Sequence, residues 1–245
     1  MKILITGSCG FIGFHLSKLL LKRGYKVHGY DSMNNYYDVT LKKTRLGILK
    51  KYKKFSFSKN KLKDKKNVDR IFNKFNPSIV IHLAAQAGVR YSIENPRVYL
   101  DSNITGTYNV IEASHKVKVK HLIMASSSSV YGSNQKIPFK EIDKTETQLS
   151  IYAATKKSNE SMAHAYSNIW KIPITMLRFF TVYGPWGRPD MALFKFTKGI
   201  QNNKKIDVYN KGRMYRDFTY IDDIVNGIHL IIKKTPNPKQ LGKFK

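Results

Sequence analysis

Cysteine, acidic residues, arginine and long apolar runs are all scarce in these 245 residues, and each scarcity excludes something. A single cysteine, Cys9, rules out a disulfide framework and any Cys-x-x-Cys metal site. No apolar run approaches the roughly 20 residues a membrane-spanning helix needs. The apolar start, Met1–Gly7, has the look of a signal peptide, but glycines at 7, 10 and 13, with His15 and Lys18, interrupt it. A cytoplasmic location is expected. Acids number 16 against 44 Lys plus Arg, for a net charge of +28. Only nine of those cations are arginines, the side chain that base reading and bidentate phosphate gripping favour, so no nucleic-acid partner is expected. The densest block, residues 42–66, holds twelve basic residues and one acid, Asp64. It reads as a solvated lysine-rich surface, or as a field that draws in an anionic small substrate. A composition of 42% hydrophobic and 24% charged residues excludes disorder of the whole chain, and the length suffices for a well-buried core.

Short apolar runs alternate with longer amphipathic stretches, the pattern of a parallel sheet covered by helices. Strands are predicted at 2–6, 26–30, 55–58, 78–83, 121–125 and 174–178. Helices are predicted at 11–23, 39–51, 67–75, 97–115 and 152–170. Beyond Val182 the rhythm breaks at a loop, Gly184-Pro185-Trp186-Gly187-Arg188-Pro189, before a final helix at 221–234. The expected fold is α/β: a Rossmann-type doubly wound parallel sheet over residues 1–180, then a small, incomplete C-terminal substrate lobe over 181–245. The tail from Thr235 to Lys245 has no periodicity and is expected to fray.

Two patterns carry chemistry. Gly7-Ser8-Cys9-Gly10-Phe11-Ile12-Gly13 joins the first strand to the first helix. Gly7 permits the tight turn, Gly10 a close approach to a pyrophosphate, and Gly13 close helix–strand packing, with free helix amides facing the anion. Asp31 ends the second strand, where a carboxylate accepts hydrogen bonds from a ribose diol and repels a 2′-phosphate, favouring NAD over NADP. Further along, Tyr152 and Lys156 share one face at a helix start. An ammonium beside a phenol, together with oxidised nicotinamide, lowers the phenol pKa from about 10 toward neutrality and makes it a general base. The run Ser126-Ser127-Ser128-Ser129 follows a strand and puts hydroxyls where open α/β sheets bind ligands. The seven histidines show no ligand spacing and are read as structural, and no metal is expected.

Together, Thr6-Gly7-Ser8-Cys9-Gly10-Phe11-Ile12-Gly13, His82-Leu83-Ala84-Ala85, the serine run and Tyr-x-x-x-Lys resemble the extended short-chain dehydrogenases/reductases that act on nucleotide sugars. The blocks 35–38 (NYYD), 86–92 (QAGVRYS) and 178–191 (RFFTVYGPWGRPDM) resemble the UDP-glucuronate 4-epimerases. That resemblance covers residues 1–234 and implies an NAD-dependent isomerase that converts UDP-glucuronate to UDP-galacturonate through a 4-keto sugar, supplying galacturonate for surface polysaccharide. It implies that Tyr152 takes the 4-hydroxyl proton while hydride passes from C4 to NAD. Ser127, helped by Ser128, would hydrogen-bond the same oxygen, and Lys156 would hold the nicotinamide ribose. It further implies cofactor contacts from Phe11, Ile12, Leu62, Ala84 and Ala85 and substrate contacts from Gln86 and Arg90. Thr181 and Arg188 would hold the sugar carboxylate, and Arg216 the UDP phosphates.

Related 4,6-dehydratases carry an Asp-Glu pair where this chain has Ser128 and Ser129, which disfavours elimination. A decarboxylase sharing the 4-keto intermediate stays open. Lys61 stands where the family often has an acid for the adenine amino group, so weakened NAD affinity is expected. Family members usually run further past the last helix, which leaves a truncated, inactive NAD-binding remnant as the alternative. The helices at 97–115 and 152–170 would pair in a homodimer, with Ala153, Ala154 and Ala163 permitting close approach.

Overall fold

The computed structural model describes residues 1–213 and 215–237. Lys2–Thr6 (β1), Phe11–Lys22 (α1), Lys26–Asp31 (β2), Val39–Lys50 (α2), Phe55–Lys59 (β3), Lys65–Phe75 (α3) and Ile79–His82 (β4) form the first half. Two single-turn helices, Tyr91–Glu94 (α4) and Pro96–Tyr99 (α5), lead through a π-helical turn, Leu100–Thr105, into Gly106–Lys116 (α6). His121–Ala125 (β5), a 3₁₀ turn at Ser128–Tyr131, Ile151–Trp170 (α7) and Ile174–Leu177 (β6) complete the sheet region. Then come Thr181–Tyr183 (β7), Ala192–Gln201 (α8), Phe218–Tyr220 (β8) and Ile221–Ile232 (α9).

β1 to β6 form one parallel sheet in the order β3-β2-β1-β4-β5-β6. The order reverses between β1 and β4, opening a crevice at the carboxyl ends of the strands. The central strands β1, β4 and β5 are buried on both faces because both are covered, whereas the edge strand β3 alternates Phe with Ser. On β1, Ile3 and Ile5 face one layer and Leu4 the other. The first layer packs Phe14, Leu16 and Leu20 of α1 with Val225, Ile228 and Ile232 of α9. The second packs Val68 and Phe72 of α3 with Val110 and Ile111 of α6 and Ala163 of α7. Each such buried Val, Leu, Ile or Phe side chain contributes about 1.5–3 kcal/mol.

Local capping sets where the helices start. Asp38, Asp64 and Ser150 accept from the backbone N–H of Thr40, Asn67 and Ala153 at 2.7, 3.2 and 3.1 Å. α1 starts at Gly10, which has no side chain to turn onto the first-turn amides.

Three expectations are corrected. The single helix predicted at 97–115 is a helical run broken into α5, a wide π turn and α6, because across Leu100–Thr105 each hydrogen bond spans one residue more than in an α-helix. α4 was not foreseen, since Pro96 masks a four-residue helix just before it. Ala153 and Ala163 are buried inside the chain, so their small size serves its own helix packing. β7 and β8 form a separate parallel pair, while α9 returns to pack on α1. Of the tail expected to fray, residues 238–245 lie outside the described residues.

Candidate active site

The site is a single cleft of about 890 Å³ along the carboxyl edge of the sheet. Every residue expected to bind or react lines it: Gly7, Gly10, Phe11, Ile12, Gly13, Asp31, Leu62, Ala84, Ala85, Gln86, Arg90, Ser127, Ser128, Tyr152, Lys156, Thr181, Arg188 and Arg216.

At one end, the turn after β1 is held by Gly7 N–H donating to Tyr30 O (2.8 Å) and Gly10 N–H to Gly7 O (2.9 Å). Gly7 has φ +73°, and a Cβ there would lie 2.8 Å from Ala84 N. A Cβ on Gly13 would lie 2.1 Å from Gly7 O. The turn is thus a cradle that side chains would fill, at the positive end of α1. Asp31 closes it, accepting from Cys9 N–H at 3.0 Å and Met33 N–H at 2.8 Å. Burial raises its pKa, against those two donors and the charges of Lys42 and Arg45. An anion-binding turn beside a buried carboxylate at the end of β2 fits a dinucleotide. Lys61 lines this end too, beside Leu62.

At the middle of the cleft, Ser127 caps the 3₁₀ turn after β5 and accepts from Ser129 N–H at 3.2 Å. Its hydroxyl donates to Ser129 Oγ at 3.2 Å and lines the cleft together with Tyr152. Burial raises the phenol's pKa, while Ser127 and the charge of Arg188 oppose that rise. Lys156 is buried and donates to Ala125 O at 2.7 Å, and desolvation pushes its pKa down to about 8. The ammonium is thus turned toward the end of β5, and the charge of Arg188 favours the ionised phenol.

At the far end, Thr181 opens β7, and its N–H donates to Asp217 O at 3.3 Å, beside Arg216. Arg188 binds Asp190 through Nε and Nη2 at 3.1 and 2.5 Å. Gln86 is held by Asn103, whose Oδ1 accepts from Gln86 N–H at 2.7 Å and whose Nδ2 donates to Gln86 O at 3.0 Å.

Several supporting residues escape a sequence reading. Asn103 sits in the π turn and also donates to Thr155 Oγ1 at 3.1 Å, tying that turn to the Tyr152 helix. His82 bridges Thr6 and Thr107 at 2.7 and 3.0 Å, kept neutral by burial with a pKa of about 3. Glu160 accepts from Ser126 at 2.6 Å and pairs with Arg178 at 2.9 Å, fixing the start of the serine run. The Asn-x-x-Gly-Thr spacing of 103–107 and the lone acid in α7 were the available signals.

Comparison with known proteins agrees with this geometry. The family model described as NAD dependent epimerase/dehydratase family matches residues 3–242. The chain is 58% identical to Protein CapI of Staphylococcus aureus over 240 residues, which is 98% of this chain and 72% of that protein. It is 54% identical to a probable UDP-glucuronate 4-epimerase of Rhizobium meliloti over 228 residues, covering 93% and 67%. The crystal structure of UDP-glucuronic acid 4-epimerase from Bacillus cereus with UDP-glucuronic acid and NAD superposes with a TM-score of 0.90 at 36% identity, covering 99% of this chain and 76% of that one. A six-stranded sheet of this order, a glycine cradle at its switch point and a match spanning nearly the whole length make this chain a member of the NAD-dependent epimerase/dehydratase family.

Proposed function

We propose that the cleft binds NAD and a UDP-uronic acid side by side, and that the chain interconverts UDP-glucuronate and UDP-galacturonate at C4. The observation that carries this is that Ser127, Tyr152 and Arg188 line one cleft with the Gly7–Gly13 cradle, at the carboxyl edge of the sheet. The likeness to 4-epimerases from Rhizobium meliloti and Bacillus cereus supports it.

Gly7, Gly10, Phe11, Ile12, Gly13, Asp31, Leu62, Ala84, Ala85 and Lys156 would hold NAD, which when bound supplies a reversible hydride acceptor. Tyr152 Oη takes the proton of the sugar's 4-hydroxyl and returns it to either epimer, so the phenol ends the cycle as it began. Ser127 Oγ, with Ser128 beside it, hydrogen-bonds the same oxygen as charge develops there. Arg188 favours the phenolate and, with Thr181, holds the substrate carboxylate. A 4-keto uronate loses CO₂ when the bond to its carboxylate stands perpendicular to the carbonyl plane, where its electrons can pass into the carbonyl π system, so holding that group out of this orientation protects the product. Gln86 and Arg90 orient the sugar, and Arg216 holds the UDP phosphates.

Residues 1–180 form the NAD-binding domain, which also carries the groups that act on the sugar, and 181–245 a partial nucleotide-sugar-binding lobe. The enzyme acts in the cytoplasm as a homodimer, through the outer faces of α6 and α7, where Tyr108, Ile151 and Trp170 are exposed. NMR of the purified chain with NAD and UDP-glucuronate tests the reading. UDP-galacturonate forms, and Tyr152→Phe lowers the rate about 10²–10⁴-fold while NAD still binds. UDP-xylose as the main product, or no turnover at all, would overturn it.

A further inference from the structure

Arg45 is an unusual charge for a surface helix. It leaves α2 with no exposed surface, although α2 is otherwise largely solvated. Its guanidinium makes hydrogen bonds to three carbonyls and a phenol. Nη1 donates to Cys9 O and Tyr37 Oη, both at 2.9 Å, and Nη2 donates to Trp186 O and Gly187 O at 2.5 and 3.2 Å. Nε has no hydrogen-bond partner among the described residues. An apolar chain would fill this space but leave the three carbonyls without donors, so the guanidinium is there for its hydrogen bonds and not for packing alone.

The partners explain it. Cys9 lies inside the Gly7–Gly13 cradle, and its peptide is held from both sides: N–H to Asp31 at 3.0 Å, carbonyl to Arg45. Trp186 and Gly187 immediately precede Arg188. Trp186 sits at φ +58° with its ring 5.8 Å from that of Phe14 on α1. One rigid planar fork therefore touches the cofactor turn with one nitrogen and the Arg188 loop with the other. A lysine ammonium lacks this two-pronged reach.

We propose that Arg45 is a positioning residue that couples the cofactor turn to the Arg188 loop, so that dinucleotide in the cradle and uronate on Arg188 favour each other's binding. The inference rests on the function proposed above. A dinucleotide that orders the cradle fixes the Cys9 carbonyl, hence the guanidinium plane, hence the two carbonyls that aim Arg188. The coupling is reciprocal.

The test measures dissociation constants for UDP-glucuronate and UDP-glucose, each with and without NAD, in proteins carrying Tyr152→Phe so that nothing turns over. With Arg45 intact, NAD tightens UDP-glucuronate about fivefold or more beyond any effect on UDP-glucose, within the usual range of such coupling. In Arg45→Met that surplus disappears. Arg45→Lys, which keeps the charge and one donor group, loses most of it and carries the test if the methionine variant does not fold. A surplus that survives in the variant, or equal weakening of both sugars, means Arg45 is merely structural and overturns the proposal. If the unmodified chain fails to turn over UDP-glucuronate at all, the underlying reading falls first and takes this one with it.

Discussion

The Asp190 carboxylate grips Arg188 along the edge of its guanidinium, at Nε (3.1 Å) and Nη2 (2.5 Å), and the Tyr36 hydroxyl donates to the same carboxylate at 3.1 Å. This is the geometry in which arginine recognises carboxylates in general. Asp190 is thus an internal counterpart of the group that a uronate would bring. The pairing lowers the pKa of Asp190 against the effect of burial and raises that of Arg188.

Asp190→Asn therefore leaves a largely buried guanidinium without its counter-charge. It is expected to cost about 2 kcal/mol, with some relief from residual solvent contact. In thermal melts, UDP-glucuronate should recover more of that loss than UDP-glucose does. Equal recovery by the two sugars would show that Arg188 does not meet the substrate carboxylate.

Lys156 gives the activity an alkaline limit. Burial holds its pKa near 8, so the ammonium is lost as pH rises through that value and turnover falls above it. Lys156→Met lowers activity and removes this limb from the pH–rate profile. The unfolded lysine titrates near 10.4, so between about pH 8 and 10 the unfolded chain binds more protons, and the contribution of Lys156 to stability rises with pH.

Acid acts in the opposite sense through the buried histidines. Desolvation lowers His28 and His121 to about 4 and His82 to about 3. Each contributes stability that is present above the unfolded value of about 6.5 and lost as pH falls toward the folded one. The loss is about 2 kcal/mol per histidine of pKa near 4 by pH 5. Melting temperatures at pH 7 and pH 5 measure it, and His121→Asn should show a smaller drop than the unmodified chain. An unchanged drop would assign the acid sensitivity elsewhere.

Two glycines offer a paired control. Gly13→Ala drives a Cβ to 2.1 Å from the Gly7 carbonyl and is expected to destabilise by about 1–3 kcal/mol and weaken NAD binding at least about tenfold. Gly47, inside α2, has nothing within 4 Å of the same added atom, so Gly47→Ala is expected to stabilise by about 0.5–1 kcal/mol. NAD titration and melting of the two variants check both statements.

What the sequence made legible follows local rules. The strands alternate with helices at short range, the glycine turn is seven consecutive residues, and Tyr152 and Lys156 lie one helical turn apart. Such patterns need no knowledge of the tertiary fold. The supporting contacts are of another kind. Tyr36 meets Asp190 across 154 positions of chain, and Arg45 meets Trp186 across 141. In the sequence Arg45 is one more cation in a lysine-rich block, and only the fold reveals that it is enclosed. Tyr152 and Lys156 both line the cleft from the start of α7, yet the acceptor that the ammonium finds, Ala125 O, is visible only in the fold. The π turn was hidden for a similar reason: residues 97–115 carry an unbroken helical composition, and the extra residue is visible only in backbone geometry.

That wide turn at Leu100–Thr105 separates two demands on one helical run. From Gly106 onward the helix must keep its apolar stripe against α3 and the sheet; before it, Asn103 must reach Gln86 and Thr155. An ordinary helix advances about 100° per residue and fixes both orientations together. The surplus residue acts as a phase shifter, so the packing half can accept changes in its buried face without rotating the amide that serves the cleft. Deleting a single residue here would leave a better-formed helix with its polar group aimed at the wrong neighbour.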